Sequence, residues 1–216
     1  MTKKILSGLL LACCVAASVP ASAQDAKAKG ILQAASAKVK NLKSMRTNFA
    51  LKLVGTGSKI RETKTGTLLM KGAKYHVIVP GQEIICDGRT VWTYMKSGNE
   101  VQVSNYNPAE QTMSPTKLFT NFYDKEYRYR YIGARTVAGK ACDVVELVPN
   151  SGSKGFSKVE LAVDKASNIV GGSVYEKNGN QYQYEVSGMA PNAAIGDDQF
   201  TFNPKSHPGV EVVDLR

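Results

Sequence analysis

Two histidines, one tryptophan and four cysteines are all that this chain of 216 residues holds of those types. Much catalytic chemistry is missing with them. A nucleophile needs a base and a group to orient that base, and no G-x-S-x-G, H-E-x-x-H or Cys/His pairing supplies them. His76 lies in an alternating strand-like run, and His207 stands between Ser206 and Pro208 in a loop. C-x-x-C is absent, so metal and redox chemistry have no support, and no cofactor is expected. The acids stand mostly singly near turns, as do Asp87, Glu100, Asp164 and Glu176. The chain therefore reads as a non-enzyme. A hydrolase built on paired carboxylates is the competing class, and two acids brought together in a cavity would mark it.

Long hydrophobic runs are also scarce. The one such run, Ile5 to Val19, is too short to span a bilayer comfortably. Lys3-Lys4 precedes it and Ala21-Ser22-Ala23 follows, which is the pattern of a cleaved secretory signal peptide over residues 1–23. Leu10-Leu11-Ala12-Cys13 also reads as a lipobox, in which Cys13 would carry lipid. The A-x-A site at the usual distance favours soluble export. Residues 24–216 then form one domain, expected to be monomeric. Cys86 and Cys142 survive cleavage in an oxidising compartment. They are either two small buried hydrophobes, the favoured reading, or a disulfide. Lysine and arginine outnumber aspartate and glutamate by 28 to 18, but they are scattered, with no Lys/Arg-rich run and no nucleic-acid motif. The excess is a solvated basic surface, or an attraction to anionic head groups or an acidic partner, and nucleic acid is not an expected partner.

What is present is strand pattern. After an amphipathic helix over Asp25 to Met45, with Ile31, Leu32, Ala35, Val39, Leu42 and Met45 at helical spacing, short alternating runs follow one another. Tight turns separate them at Gly72-Ala73, Asp87-Gly88, Lys96 to Asn99, Ala138-Gly139, Lys165 to Asn168 and Asn178-Gly179. The rhythm breaks between Asn105 and Tyr127, where Ser114-Pro115 can cap a short helix whose apolar face is Leu118, Phe119 and Phe122. The tail reads as a strand at Phe200 to Phe202, a Pro-bounded loop and a final strand or extension. About ten antiparallel strands with two helical pieces predict a mainly β, α+β fold in which a large sheet curls.

Apolar residues alternate through these strands: Leu51, Leu53, Leu68, Met70, Val77, Ile84, Val91, Tyr129, Tyr131, Val145, Leu147, Val159, Leu161, Tyr182 and Tyr184. In "EIICDGRTVWTYMKSGNEVQV" the middle strand is apolar on both sides, Val91 and Met95 alternating with Trp92 and Tyr94. A half-solvated antiparallel strand is apolar on one side only. A curved sheet left open beneath a helical cover offers a cavity of non-directional apolar area, which suits acyl chains, and Trp92 or Tyr94 is expected to look into it.

The segment with "DG", "TVWTY" and "NEVQV", the "GTLLMK" strand, the first helix and the tail "FTFNPKSHPGVEVVD" together resemble, in order, the outer-membrane lipoprotein carrier family, LolA. The resemblance implies an incomplete, strongly curved antiparallel half-barrel with a helical lid over an apolar cavity. It implies a periplasmic chaperone that takes acylated lipoproteins from an inner-membrane release complex to an outer-membrane acceptor. Relatives with the same half-barrel serve instead as lipoprotein or glycolipid receptors and sensors. On this reading the cavity and lid are lined by Leu51, Leu53, Leu68, Met70, Val77, Ile84, Val91, Trp92, Tyr94, Leu118, Phe119 and Phe122. The family's lid-latching arginine has no counterpart in Lys71-Gly72-Ala73-Lys74-Tyr75, so Lys71 or Lys74 is the candidate latch, without the planar fork of an arginine. N-terminal sequencing of the exported protein should begin at Gln24; a diacylated Cys13 would overturn soluble export.

Overall fold

The computed structural model describes residues 21–55, 59–107, 126–152 and 155–216. The bulk of the signal segment, Cys13, and the run with Leu118, Phe119 and Phe122 fall outside the described residues.

Helix α1 (Ala21–Lys40) is rich in alanine and straight-chain residues, which lose little rotamer freedom in a helix. Ala28, Leu32, Ala35 and Ser36 are buried along one stripe, spaced by three and four as one helix face requires. Lys38 and Lys40 lie in the last turn, where cations suit the helix dipole. The helix stops five residues short of the expected Met45. Lys43 N–H donates to Asn192 Oδ1 at 2.9 Å, and Asn192 N–H donates to the Ser44 carbonyl at 2.8 Å. These long-range bonds capture the chain, and Met45 opens a strand instead.

The strands are β1 (Met45–Val54), β2 (Ile60–Lys71), β3 (Lys74–Val79), β4 (Gln82–Cys86), β5 (Thr90–Met95), β6 (Glu100–Asn105), β7 (Tyr127–Val137), β8 (Lys140–Pro149), β9 (Phe156–Asp164), β10 (Ile169–Glu176), β11 (Gln181–Pro191) and β12 (Glu211–Asp214). They form one open, curved sheet in the order β12-β6-β5-β4-β3-β2-β1-β11-β10-β9-β8-β7. Two meanders, β1 to β6 and β7 to β11, are thus joined by the antiparallel pairing of β1 with β11. The expected turns close the hairpins. At Ala138-Gly139 both residues have positive φ, +48° and +74°, the backbone of a two-residue hairpin whose twist matches its strands. At the β4–β5 turn Asp87 stands on the flank, its Oδ1 accepting the amides of Arg89 and Thr90 at 2.8 Å.

Alternation gives the sheet two faces. On the inner face, which carries α1, one cluster packs Ala28 and Leu32 on Val145, Leu147, Val159, Leu161 and Val174. A second packs Ala35 with Met45, Leu68, Met70, Tyr75, Cys86 and Val91. Each side chain of this size contributes about 1.5–3 kcal/mol when fully buried. Cys86 and Cys142 are free thiols, both buried. Cys142 belongs to a separate cluster with Val144, Ala162 and Val170, so the favoured reading of two buried hydrophobes describes them, and the disulfide does not form.

The outer face of β4 to β6 is covered by the C-terminal segment. The expected strand at Phe200 to Phe202 is not a strand: Asp197–Phe200 is a 3-10 turn, and Phe200 and Phe202 bury their rings instead of pairing their backbone. Tyr94 lies 5.4 Å from the Phe202 ring and 4.5 Å from that of His207. Its hydroxyl donates to Asn99 Oδ1 at 3.0 Å, and Asn99 Nδ2 donates to the Pro208 carbonyl at 3.1 Å. The chain then returns as β12, which pairs in parallel with β6. This cover, formed by Phe202 and Val210 over Ile85, Trp92, Tyr94 and Val101, explains why β5 is apolar on both sides. Phe202→Ala should therefore destabilise the fold by about 3 kcal/mol and red-shift the emission of the lone Trp92. Unchanged emission would mean that the segment does not seal this face.

Candidate functional site

The sequence-predicted lining divides between the two faces. Register places Leu51 opposite Tyr184, and Leu53 opposite Tyr182. Leu68 pairs with Val77 and Val77 with Ile84. Met70 and Val91 share the inner cluster with Ala35. Seven of the predicted residues, Leu51, Leu53, Leu68, Met70, Val77, Ile84 and Val91, therefore share the inner face. The structure does not bring Trp92 and Tyr94 there: they alternate with Val91 and belong to the outer cluster under Phe202.

The inner face is not evenly covered. Leu68, Met70 and Val91 are buried, whereas Leu51, Leu53, Val77 and Ile84 are half-buried, as are Tyr129, Tyr131, Tyr182 and Tyr184 from the second meander. These tyrosines pack against the first cluster beside Ile31 and extend the apolar strip across the β1–β11 seam. They alternate as clearly as the leucines do, yet sequence alone shows no neighbour for them, because the pairing that joins the meanders is long-range. Two ring tips come close to glycines of adjacent strands. A Cβ at Gly66 would fall 2.7 Å from the Phe49 ring, and one at Gly172 would fall 2.8 Å from Cζ of Tyr184, so both strands need a residue without a side chain at the point of approach.

Clefts open at each end of α1. One of about 200 Å³ is lined by Val39, Leu42, Met45 and Met70. One of about 670 Å³, a volume usual for small-ligand sites, is lined by Lys29, Arg128, Tyr129, Arg130 and Val148 among others. Polar groups on the inner face are mostly engaged: Tyr131 donates to Asp143 Oδ1 at 3.0 Å, and Thr47 donates to the Ser187 carbonyl at 2.8 Å.

Lys71 and Lys74 both hold Asp197 Oδ1 at 3.1 Å, and Lys71 also donates to the Ile195 carbonyl at 3.4 Å. The two lysines bind the β2–β3 turn to the C-terminal segment and hold the Asp197 carboxyl below the usual carboxylate range.

Two carboxylates do face each other, but on the outer side. Glu146 and Glu160 are cross-strand partners in β8 and β9. Arg130 Nε donates to Glu146 at 2.7 Å, Lys158 Nζ reaches both acids at 2.9 Å, and Arg135 donates to Glu160 at 2.9 Å. Burial pushes both carboxyls up, and hydrogen bonds from Arg130 and Lys158 to Glu146, and from Lys158 and Arg135 to Glu160, outweigh it, leaving both lowered. Both acids are held as rungs of this ladder, and Glu146 with Arg130 also reaches the rim of the larger cleft.

This chain is similar to known proteins along most of its length. A family described as outer membrane lipoprotein carrier protein LolA matches residues 40–203. The outer-membrane lipoprotein carrier protein of Erwinia tasmaniensis is 24% identical, over 96% of this chain and 98% of that one. Among solved structures, an uncharacterised conserved protein of Thermus thermophilus superposes with a TM-score of 0.60 at 14% identity, covering 87% of this chain and 99% of its own. The Mycobacterium tuberculosis lipoprotein LppX gives 0.52 at 12%, covering 81% and 100%.

The ladder sets an acid limit. Both acids are depressed in the fold below their ordinary value of 4.5. Their contribution is present above the unfolded-state pKa and is lost as pH falls through the folded-state values. The urea midpoint should drop on going from pH about 5 towards 3, and drop less in a Glu146→Gln/Glu160→Gln double variant. Parallel pH profiles for the two proteins would remove the ladder from acid stability.

Proposed function

The chain belongs to the outer membrane lipoprotein carrier protein LolA family, and from that membership we propose that it binds the acyl chains of lipoproteins on the inner face and carries them through the periplasm. It would receive them from an inner-membrane release complex and give them to an outer-membrane acceptor, acting by binding and transfer without catalysis. The observation that carries this reading is the half-buried strip of Leu51, Leu53, Tyr182 and Tyr184 across the β1–β11 seam. Acyl chains gain about 0.8 kcal/mol for each CH₂ buried, and such a strip supplies area without demanding polar matching. Among the described residues no helix is long and apolar enough to cross a membrane. Lys71 and Lys74 act here as a clasp on the C-terminal segment, and any latching of a lid over the cargo would share them.

Mass spectrometry of lipid co-purifying with protein isolated from the cell envelope tests the reading. Diacylated or triacylated peptide is the expected cargo, and Leu51→Glu, at a half-buried position, should abolish its retention with little change in thermal stability. Recovery of free glycolipid alone would favour a sensor or receptor role. Recovery of no lipid, with Leu51→Glu indistinguishable from the parent, would sink the carrier role.

A further inference from the structure

Among the described residues of the inner face, one phenol is enclosed by the fold and left without a hydrogen-bond partner. Tyr184 stands in β11 between Leu51 of β1 and Gly172 of β10. Its ring keeps part of its area exposed, but the hydroxyl end is closed off from solvent and has no hydrogen-bond partner among the described residues. The reason is the glycine. A Cβ at Gly172 would sit 2.6 Å from the Tyr184 hydroxyl, so the absence of a side chain lets the ring lie across β10 and carry its hydroxyl over toward β9. Gly172 also pairs with Leu161 of β9. Tyr184 packs against the cluster that holds Leu161 and Val174, and neither offers an acceptor side chain. Burial raises the phenol's pKa well above its ordinary value, which keeps it protonated and able to donate. Elsewhere on the inner face the Tyr131 phenol and the Thr47 hydroxyl are already committed.

An enclosed donor of this kind is costly unless something accepts from it. An acyl ligand presents the complementary problem. Its chain is apolar, but the ester or amide carbonyl at the head of that chain loses its water when it enters an apolar cleft, and it needs a donor. The carbonyl is acceptor-only and the phenol can donate to it, so each satisfies the other. We infer that Tyr184 is the donor that receives the carbonyl oxygen of a bound acyl ester or amide, setting how far the chain slides along the strip of Leu51 and Leu53. The inference rests on the acyl-binding reading above. It adds that the site distinguishes an acyl chain from a plain hydrocarbon of the same length.

Two probes and one variant separate the cases. Methyl palmitate, labelled with ¹³C at the carbonyl, and hexadecane are each competed against anilinonaphthalene sulfonate bound to the full protein and to Tyr184→Phe. Phenylalanine keeps the ring over Gly172 and removes the orphaned hydroxyl, so the unliganded variant should unfold no earlier than the parent. The variant should bind methyl palmitate about three- to tenfold more weakly, the span of a neutral hydrogen bond, with hexadecane unchanged. The infrared carbonyl band of bound methyl palmitate should move to higher frequency in the variant. If the parent binds both probes and the variant weakens both equally, or neither, with no band shift, the role of Tyr184 falls while acyl binding stands. If the parent binds neither probe, the acyl site itself is refuted, and the role of Tyr184 with it.

Discussion

The pairing of β1 with β11 is the constraint on which the other features of the molecule hang. It runs from Met45 opposite Pro191 to Val54 opposite Gln181, with one register shift after Arg46. Each meander has only local connections of its own, and this ladder makes them a single sheet. It also decides where the apolar rows fall: a slip of one residue would turn every side chain of β1 to the other face, separating Leu51 and Leu53 from Tyr184 and Tyr182. Helix α1 reinforces the seam from above. Ile31 packs against both inner clusters, and Lys38 Nζ donates to the Ala166 carbonyl at 2.7 Å in the β9–β10 turn.

The two faces are finished differently. The outer face is closed by fixed partners: aromatic rings of the C-terminal segment over β4 to β6, and the Arg130–Glu146–Lys158–Glu160–Arg135 ladder over β7 to β9. Among the described residues, one helix covers part of the inner face. The rigid contacts thus lie on one face of the sheet and the half-buried strip on the other.

Local features of this architecture were legible in the sequence because their causes are local. Gly72-Ala73, Ala138-Gly139 and Asn178-Gly179 close hairpins where turn chemistry places them, and the alternation of β1 to β5 names the inner residues from Leu51 to Val91. The choice of face for β5 was not legible. Both its sides are apolar, and what separates them is Phe202, more than a hundred positions away, folded as a 3-10 turn and loop and not as the strand its F-x-F pattern suggests. The end of α1 was misjudged for a similar reason, since Asn192 captures the chain at Lys43 and Ser44. The tyrosines of the second meander carried a clear pattern but no address, because β6 and β7 follow one another in sequence and stand near opposite ends of the sheet.

The rings lying on Gly66 and Gly172 carry a consequence for the lineage of this chain. Each glycine is hemmed in by its ring and also by a backbone oxygen of the adjoining strand, that of Ile78 at Gly66 and that of Glu160 at Gly172, both nearer than a Cβ could tolerate. A ring can be exchanged for a smaller side chain and leave the sheet intact. The glycine cannot be exchanged for anything, whatever its partner becomes, because the strand next door would have to move with it. Drift at these two pairs is therefore one-directional: the sheet tolerates other side chains at Phe49 and Tyr184, while the two glycines under them are held by the sheet itself.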